Sequence, residues 1–153
     1  MYMIFKNMKK TILILLLALP FALSAQVSQL LGDWTTIDDR INEPVSVVHI
    51  YKATNGKYYG RIDRILYPGY EDALCVECKG DLHNRPMKGL VIILDMVYNE
   101  KTHRLEGGRV LDPNNGKYYH GAIWFDAKKN KLILRGSLDS RGILGRSQEW
   151  QRP

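Results

Sequence analysis

Asp112-Pro113-Asn114-Asn115-Gly116 limits the folding of this chain more than any other stretch. Proline presets one φ angle, and Asn-Gly accepts the positive φ that tight hairpin turns demand. Tyr118, Tyr119, Ile123, Trp124 and Phe125 follow, residues that favour a pleated, half-buried strand. A strand, a turn and a returning strand are therefore predicted between Gly107 and Trp124. The pentapeptide Asn115-Gly116-Lys117-Tyr118-Tyr119 has an earlier copy, Asn55-Gly56-Lys57-Tyr58-Tyr59. Two readings of this echo stand side by side: the same turn chemistry used twice, or two matching half-barrels.

The same alternation of apolar runs and turn signals extends over the rest of the chain. Strands are predicted at 32–38, 45–52, 58–66, 90–98, 104–112, 117–125, 131–138 and 143–152, with one long irregular stretch at 67–88. No segment repeats apolar residues at helical spacing for long. The most apolar segment, 90–98, is too rich in β-branched residues, and too closely bounded by turn signals, to read as a helix. Eight short strands joined mostly by tight turns point to an all-β fold, a single antiparallel up-and-down β-barrel. Closure removes the free edges that make open sheets aggregate.

The first residues point to a compartment. Lys6, Lys9 and Lys10 precede an apolar run from Thr11 to Leu23, followed by Ser24-Ala25. That is the order of a secretory signal peptide, and the run is shorter than the ~20 residues of a membrane span. The expected organisation is a signal peptide at 1–25, cut after Ala25, and a barrel domain at 26–153. The protein is expected to be exported, periplasmic or extracellular, with no stable membrane span after cleavage. Three of the 22 basic residues and no acid lie in the first 25 positions, so the remainder carries 19 against 16, a net +3. The bases are scattered, which argues against a nucleic-acid partner.

Cys75 and Cys78 fall in the long irregular stretch. In an oxidising compartment they are expected to form a disulfide that braces the loop. A redox-active pair ordinarily opens a helix in a βαβ setting, which is missing here. With His83 nearby the pair makes an incomplete set of zinc ligands, so neither metal nor cofactor is expected.

Several stretches, in order along the chain, resemble the domain-of-unknown-function 2147 family of exported bacterial proteins: Gly32-Asp33-Trp34-Thr35-Thr36-Ile37-Asp38, Tyr59-Gly60-Arg61-Ile62, Cys75-Val76-Glu77-Cys78-Lys79-Gly80, Pro86-Met87-Lys88-Gly89, Leu111 to Tyr118, Leu134-Arg135-Gly136, Leu144-Gly145-Arg146 and Trp150-Gln151-Arg152. The resemblance implies a lipocalin-like (calycin-like) barrel and carries no established activity. Gly32-x-Trp34 is also similar to the lipocalin opening, in which a first-strand Trp packs beneath an Arg from a late strand. Arg135, Arg146 and Arg152 are the candidates for that Arg.

Catalytic signatures are missing. There is no nucleophile elbow, no His-Glu-x-x-His and no phosphate-cradling glycine loop, and His49, His83, His103 and His120 are isolated in sequence, so an enzyme is the weakest reading. More informative are Arg135 and Arg146, each beside a glycine in a strand. An inward arginine needs an acidic partner or an anionic ligand. The candidate ligand-binding set is therefore Trp34, Tyr119, Arg135 and Arg146, holding a small polar or anionic molecule at the barrel mouth. The alternative is a structural or protein-interaction module of the cell envelope with a filled barrel and a partner-binding loop between Tyr67 and Lys88.

Overall fold

The computed structural model describes residues 26–153; the predicted signal peptide lies outside the described residues. Each of the eight predicted strands forms: β1 (Gly32–Asp38), β2 (Glu43–Lys52), β3 (Tyr58–Ile65), β4 (Val91–Asn99), β5 (Arg104–Asp112), β6 (Lys117–Asp126), β7 (Lys131–Ser137) and β8 (Gly145–Trp150). They hydrogen-bond in sequence order as one antiparallel eight-stranded sheet, a meander. A short 3-10 turn, Gly80–Leu82, lies in the long β3–β4 connection. The main departure from the sequence reading is at β8. Ile143 and Leu144 leave the strand because their amides donate to the Asp139 carboxylate, at 3.0 and 2.6 Å. That side chain offers the backbone an alternative to the ladder.

The meander curls into a nearly closed barrel. Its seam, between β1 and β8, is held by separate devices rather than by a continuous ladder. Thr35 and Gln151 exchange both backbone hydrogen bonds, at 2.7 and 3.0 Å. Above that pair, Arg146 on β8 grips Asp39 in the β1–β2 turn. Below it, Arg152 donates from Nη1 to the carbonyls of Leu31 and Asp33 and from Nη2 to that of Gln29. Arg152 also lies over the Trp34 ring, 3.8 Å from its centroid, so of the three candidate arginines it is Arg152 that covers the Trp.

Cross-strand pairing puts Trp34, Val48 and Ile62 on one row, and Ile50, Gly60, Ile93 and Val110 on another. With Met96, Leu105, Ile123, Leu134 and Trp150 these residues form the buried core. The interior is filled by side chains. A Cβ on Gly121 would fall 2.1 Å from Met96 Cε, and one on Gly60 2.5 Å from Ile93 Cδ1. Small barrels close in this way when large residues on one strand fill the space that glycines leave on another.

Antiparallel order gives the barrel two unlike ends. One gathers the start of β1, the end of β8 and the tight turns 53–57, 100–103 and 127–130. The other gathers the connections 39–42, 66–90, 113–116 and 138–144, and is called the loop end below. At the loop end Cys75 and Cys78 form the predicted disulfide, with Cα atoms 5.3 Å apart, and both are buried within the core cluster. Cys75 Sγ lies 3.4 Å from the Pro113 carbonyl oxygen. A Cβ on Gly116 would fall 1.9 Å from the Glu77 carbonyl oxygen, so the cysteine loop is seated against the β5–β6 turn. Leu111 and Ile92 are buried although they face away from inward Val110 and Ile93. They join the same cluster as the two cysteines, so the loop covers the outside of the barrel wall here and extends the core.

The echoed pentapeptide is a local device. In each copy the Asn side-chain oxygen accepts from the Lys amide, at 3.0 Å in the first and 2.9 Å in the second. The Asn amide nitrogen donates to the second Tyr hydroxyl, at 2.8 and 3.0 Å. This is the same Asx turn built twice. Tyr59 faces outward and Tyr119 falls on the inward row of β6, so the two halves do not match as barrels.

Candidate functional site

The four residues singled out in the sequence do not converge. Trp34 is wholly buried at the end opposite the loop end, near the start of β1. Its indole Nε1 donates to the Leu30 carbonyl at 3.0 Å, and Phe125 lies 6.2 Å away between centroids. Tyr119 and Arg146 belong to the loop end, both on the inward-facing side of their strands. Tyr119 is half-buried, its hydroxyl accepting from Asn115. Arg146 is exposed and pairs with Asp39 across the seam. Arg135 alternates with Gly136 and so faces outward. Its fork donates from Nε to the Gly142 carbonyl at 2.7 Å, from Nη2 to the Ile143 carbonyl at 3.1 Å and from Nη1 to Ser147 Oγ at 3.2 Å.

Arg135 thus works on the β7–β8 connection, and that connection is unusually well tied for a loop. Asp139 accepts the two amides already named, and these bonds hold its carboxyl below the usual carboxylate range. Ser137 Oγ donates to the Asp139 carbonyl at 2.8 Å, and the Leu138 amide to the Leu144 carbonyl at 2.8 Å. The apolar side chains of this connection nevertheless point into solvent. Leu138 is 72% exposed and Ile143 and Leu144 are each 64% exposed. Their backbone is fixed and their apolar surface is left to water.

The same end carries nearly all of the comparable residues. Ile41, Leu66, Tyr67, Tyr70, Leu74, Val76 and Tyr118 are exposed large hydrophobics from its other connections and the start of β6, and Val97 is the exception. Tyr67 and Tyr70 pack on each other, 5.3 Å between centroids. A gathering of apolar side chains at one pole is the pattern of an interaction surface, whereas scattered ones are ordinary. Charges of both signs stand among them, including Asp38, for which two hydrogen bonds from the Arg40 side chain and one from its amide lower the pKa to about 2. Two open depressions, one on the β4–β5 hairpin lined by Val97–Lys101, Glu106 and Gly107 and one where the start of β2 (Glu43, Pro44) meets Leu66–Pro68, lie at the ends of strands. Among the described residues no group of three or more His, Cys, Asp or Glu is placed to hold a metal ion, and no helix is long and apolar enough to cross a membrane.

Sequence reasoning marked the 67–88 stretch as a partner-binding candidate and missed the 138–144 connection. Ile143 and Leu144 looked like the start of a strand. The available signal was Asp139, an acid placed to cap amides in a short turn.

A family model described as uncharacterized protein conserved in bacteria (DUF2147) matches residues 32–152. No curated protein matches. Among solved structures the chain is similar to one described as protein HP1028 from the human pathogen Helicobacter pylori, which belongs to the lipocalin family. The TM-score is 0.68 and the identity 24%, over 81% of this chain and 82% of that one. At that identity the likeness is one of fold.

Proposed function

The chain belongs to the DUF2147 family of uncharacterised bacterial proteins, and from that premise we propose that it is an exported interaction module which binds a protein partner through the loop end of a filled barrel. The observation that carries this reading is the β7–β8 connection, whose backbone is fixed by Arg135 and Asp139 while Leu138, Ile143 and Leu144 stay in water. Rigid apolar anchors lose little entropy on binding, which is what makes an interface strong for its area. Asp39, Glu71, Asp72 and Glu77 belong to the connections of this end, as do Lys79, Arg85 and Arg141. Such a balance of signs suits a protein surface, whereas an anionic bilayer attracts a cationic excess.

The test is a double substitution, Leu138→Glu with Ile143→Glu, in protein isolated gently from its own envelope. The native protein should elute as a complex that chemical cross-linking retains. The variant should elute as a monomer with an unchanged unfolding midpoint. Native protein that elutes alone, or a variant that keeps the complex, overturns the reading. N-terminal sequencing of the same material should begin within a few residues of Gln26, and a retained Met1 would remove export from the proposal.

One observation favours a second reading, a small anionic ligand at the mouth. Arg146 and Tyr119 share the inward side of the loop end, and Arg146 already grips a carboxylate. Its planar fork suits carboxylate or phosphate. The packed interior weighs against it, and a small co-purified mass in native mass spectrometry, lost in Arg146→Lys, would favour it.

A further inference from the structure

The outer wall of the barrel carries an arrangement that the loop end does not involve. His49 and Tyr51 are two residues apart on β2 and share its outward face, and Tyr59 stands opposite Tyr51 on β3. The His49 and Tyr51 rings are nearly parallel, 18° between planes and 6.1 Å between centroids; Tyr51 and Tyr59 are at 28° and 6.1 Å. Near-parallel rings that far apart do not lie flat on one another, so part of each face or edge is left for another molecule. A carboxylate closes the row on each side. Asp33 on β1 accepts from His49 Nδ1 at 2.6 Å, and Asp95 on β4 accepts from the Tyr59 hydroxyl at 2.8 Å and from Lys57 Nζ at 3.3 Å. The side chains of Asp33, His49, Lys57 and Asp95 are all between 40 and 46% exposed.

Asp95 reaches this position at a cost to the backbone. It sits in β4 with φ of +57°, a region that non-glycine residues seldom occupy. The β3–β4 register shifts beside it, between Tyr58 and Gly60. The kink turns its carboxylate towards Tyr59 and Lys57. Those two hydrogen bonds, the tyrosine's first, hold its carboxyl below the usual range, so it stays an acceptor at neutral pH.

We propose that this row, from Asp33 through His49, Tyr51 and Tyr59 to Asp95, is a binding strip for a neutral saccharide chain. The chemistry selects that class. Flat rings suit the apolar C–H faces of a sugar, and the carboxylates and the His49 Nε2 accept from its hydroxyls while Lys57 donates to them. A wholly apolar ligand would strip water from two carboxylates and give nothing in return. An anionic ligand would meet both carboxylates, and a cationic one would meet Lys57 and the neighbouring Arg61. A hydroxyl-rich neutral chain meets no such penalty. A row across four strands, with no enclosing pocket, suits an extended polymer better than a single sugar.

The experiment uses the full chain as it is exported, with chitotetraose and maltotetraose as probes in a two-dimensional NMR titration. Resonances of Tyr51, Tyr59 and the His49 ring should shift together with at least one probe, while those of Leu138 and Ile143 stay still. Tyr51→Ala should weaken that binding by about tenfold, the scale of one good contact. Asp33→Asn, which leaves every ring in place, should weaken it by a smaller factor. Each variant is first shown to give a folded spectrum, and Tyr51→Val replaces Tyr51→Ala if that one does not. Leu138→Glu with Ile143→Glu should bind the probe like the unchanged protein, which separates this strip from the loop end. No shift along the strip with either probe, or binding untouched by both strip variants, overturns the proposal and leaves the rings as cross-strand sheet packing.

Discussion

The guanidinium of Arg152 lies 3.8 Å from the centroid of the Trp34 ring while its nitrogens hold the carbonyls of Gln29, Leu31 and Asp33. One side chain near the end of the chain thereby fixes the segment that enters the barrel and the first strand together. Trp34 fills the end of the core beneath it. Trp34→Ala should cost about 3–5 kcal/mol, because the hole it leaves is large and walled by strands. Arg152→Lys keeps the charge and loses the fork and the flat face, and should cost about 1–2 kcal/mol. Urea unfolding measures both, and a neutral Arg152→Lys would mean that the seam is held elsewhere.

The two copies of Asn-Gly-Lys-Tyr-Tyr should respond differently to the same substitution. Gly56 has φ of +81° and open space where a Cβ would go, so Gly56→Ala carries the backbone strain alone, about 1 kcal/mol. Gly116 has φ of +69° and the Glu77 carbonyl oxygen 1.9 Å from that position. Gly116→Ala must push the cysteine loop off its seat as well, about 3 kcal/mol or more. Equal losses in urea unfolding would show that the loop does not rest on this turn.

This contrast also marks what the sequence makes legible. The turn at Asn55-Gly56 and that at Asn115-Gly116 read alike because local backbone chemistry is written in a few residues. The eight strands and their order follow from the same local signals, since short turns leave antiparallel neighbours little choice, and the disulfide from the close spacing of Cys75 and Cys78. The obligation at Gly116 is invisible, because it depends on Glu77, which is distant in sequence. Arg152 could not be chosen over Arg135 and Arg146 for a similar reason. Each stands beside a glycine or a strand end, and only the position of the seam decides which meets Trp34. The candidate site was the least legible part. A reading that expects inward arginines to meet a ligand has no means of seeing that Arg135 faces out and binds its own loop, or that Met96 occupies the space beside Gly121.

Acid should act on the β1–β2 turn through Asp38. Two hydrogen bonds from the Arg40 side chain, at 3.0 and 2.5 Å, and one from its amide at 2.9 Å favour the ionised form. They lower the pKa from 3.8 to about 2. The folded value lies below the unfolded one, so the stabilisation is complete above about pH 4 and is lost as the pH falls towards 2. Arg40 is largely exposed, so the effect is modest and is screened by salt. An NMR titration of Asp38 in the folded protein reads it directly. A midpoint at or above 3.8 would refute the pairing, and Asp38→Asn should flatten stability against pH between about 4 and 2.

Arg135→Lys separates the rigidity of the loop end from the stability of the barrel. The arginine fork donates to Gly142, Ile143 and Ser147 at once. Lysine has one nitrogen on a flexible stem and can replace at most part of that. The β7 ladder does not depend on this side chain, so global unfolding in urea should move by about 1 kcal/mol or less, the worth of exposed hydrogen bonds. Local opening is another matter. Fewer bonds then hold the 138–144 connection, and its amides, those of Ile143 and Leu144 above all, should exchange with solvent faster while those of β7 keep their protection. If the loop end binds a partner through preset apolar anchors, Arg135→Lys should also weaken that binding, although Leu138, Ile143 and Leu144 are unchanged. The loss would then be one of order and not of contact area. Exchange rates at Ile143 and Leu144 that equal those of the unchanged protein would show that Asp139 holds the loop without help, and that Arg135 has no part in presenting it.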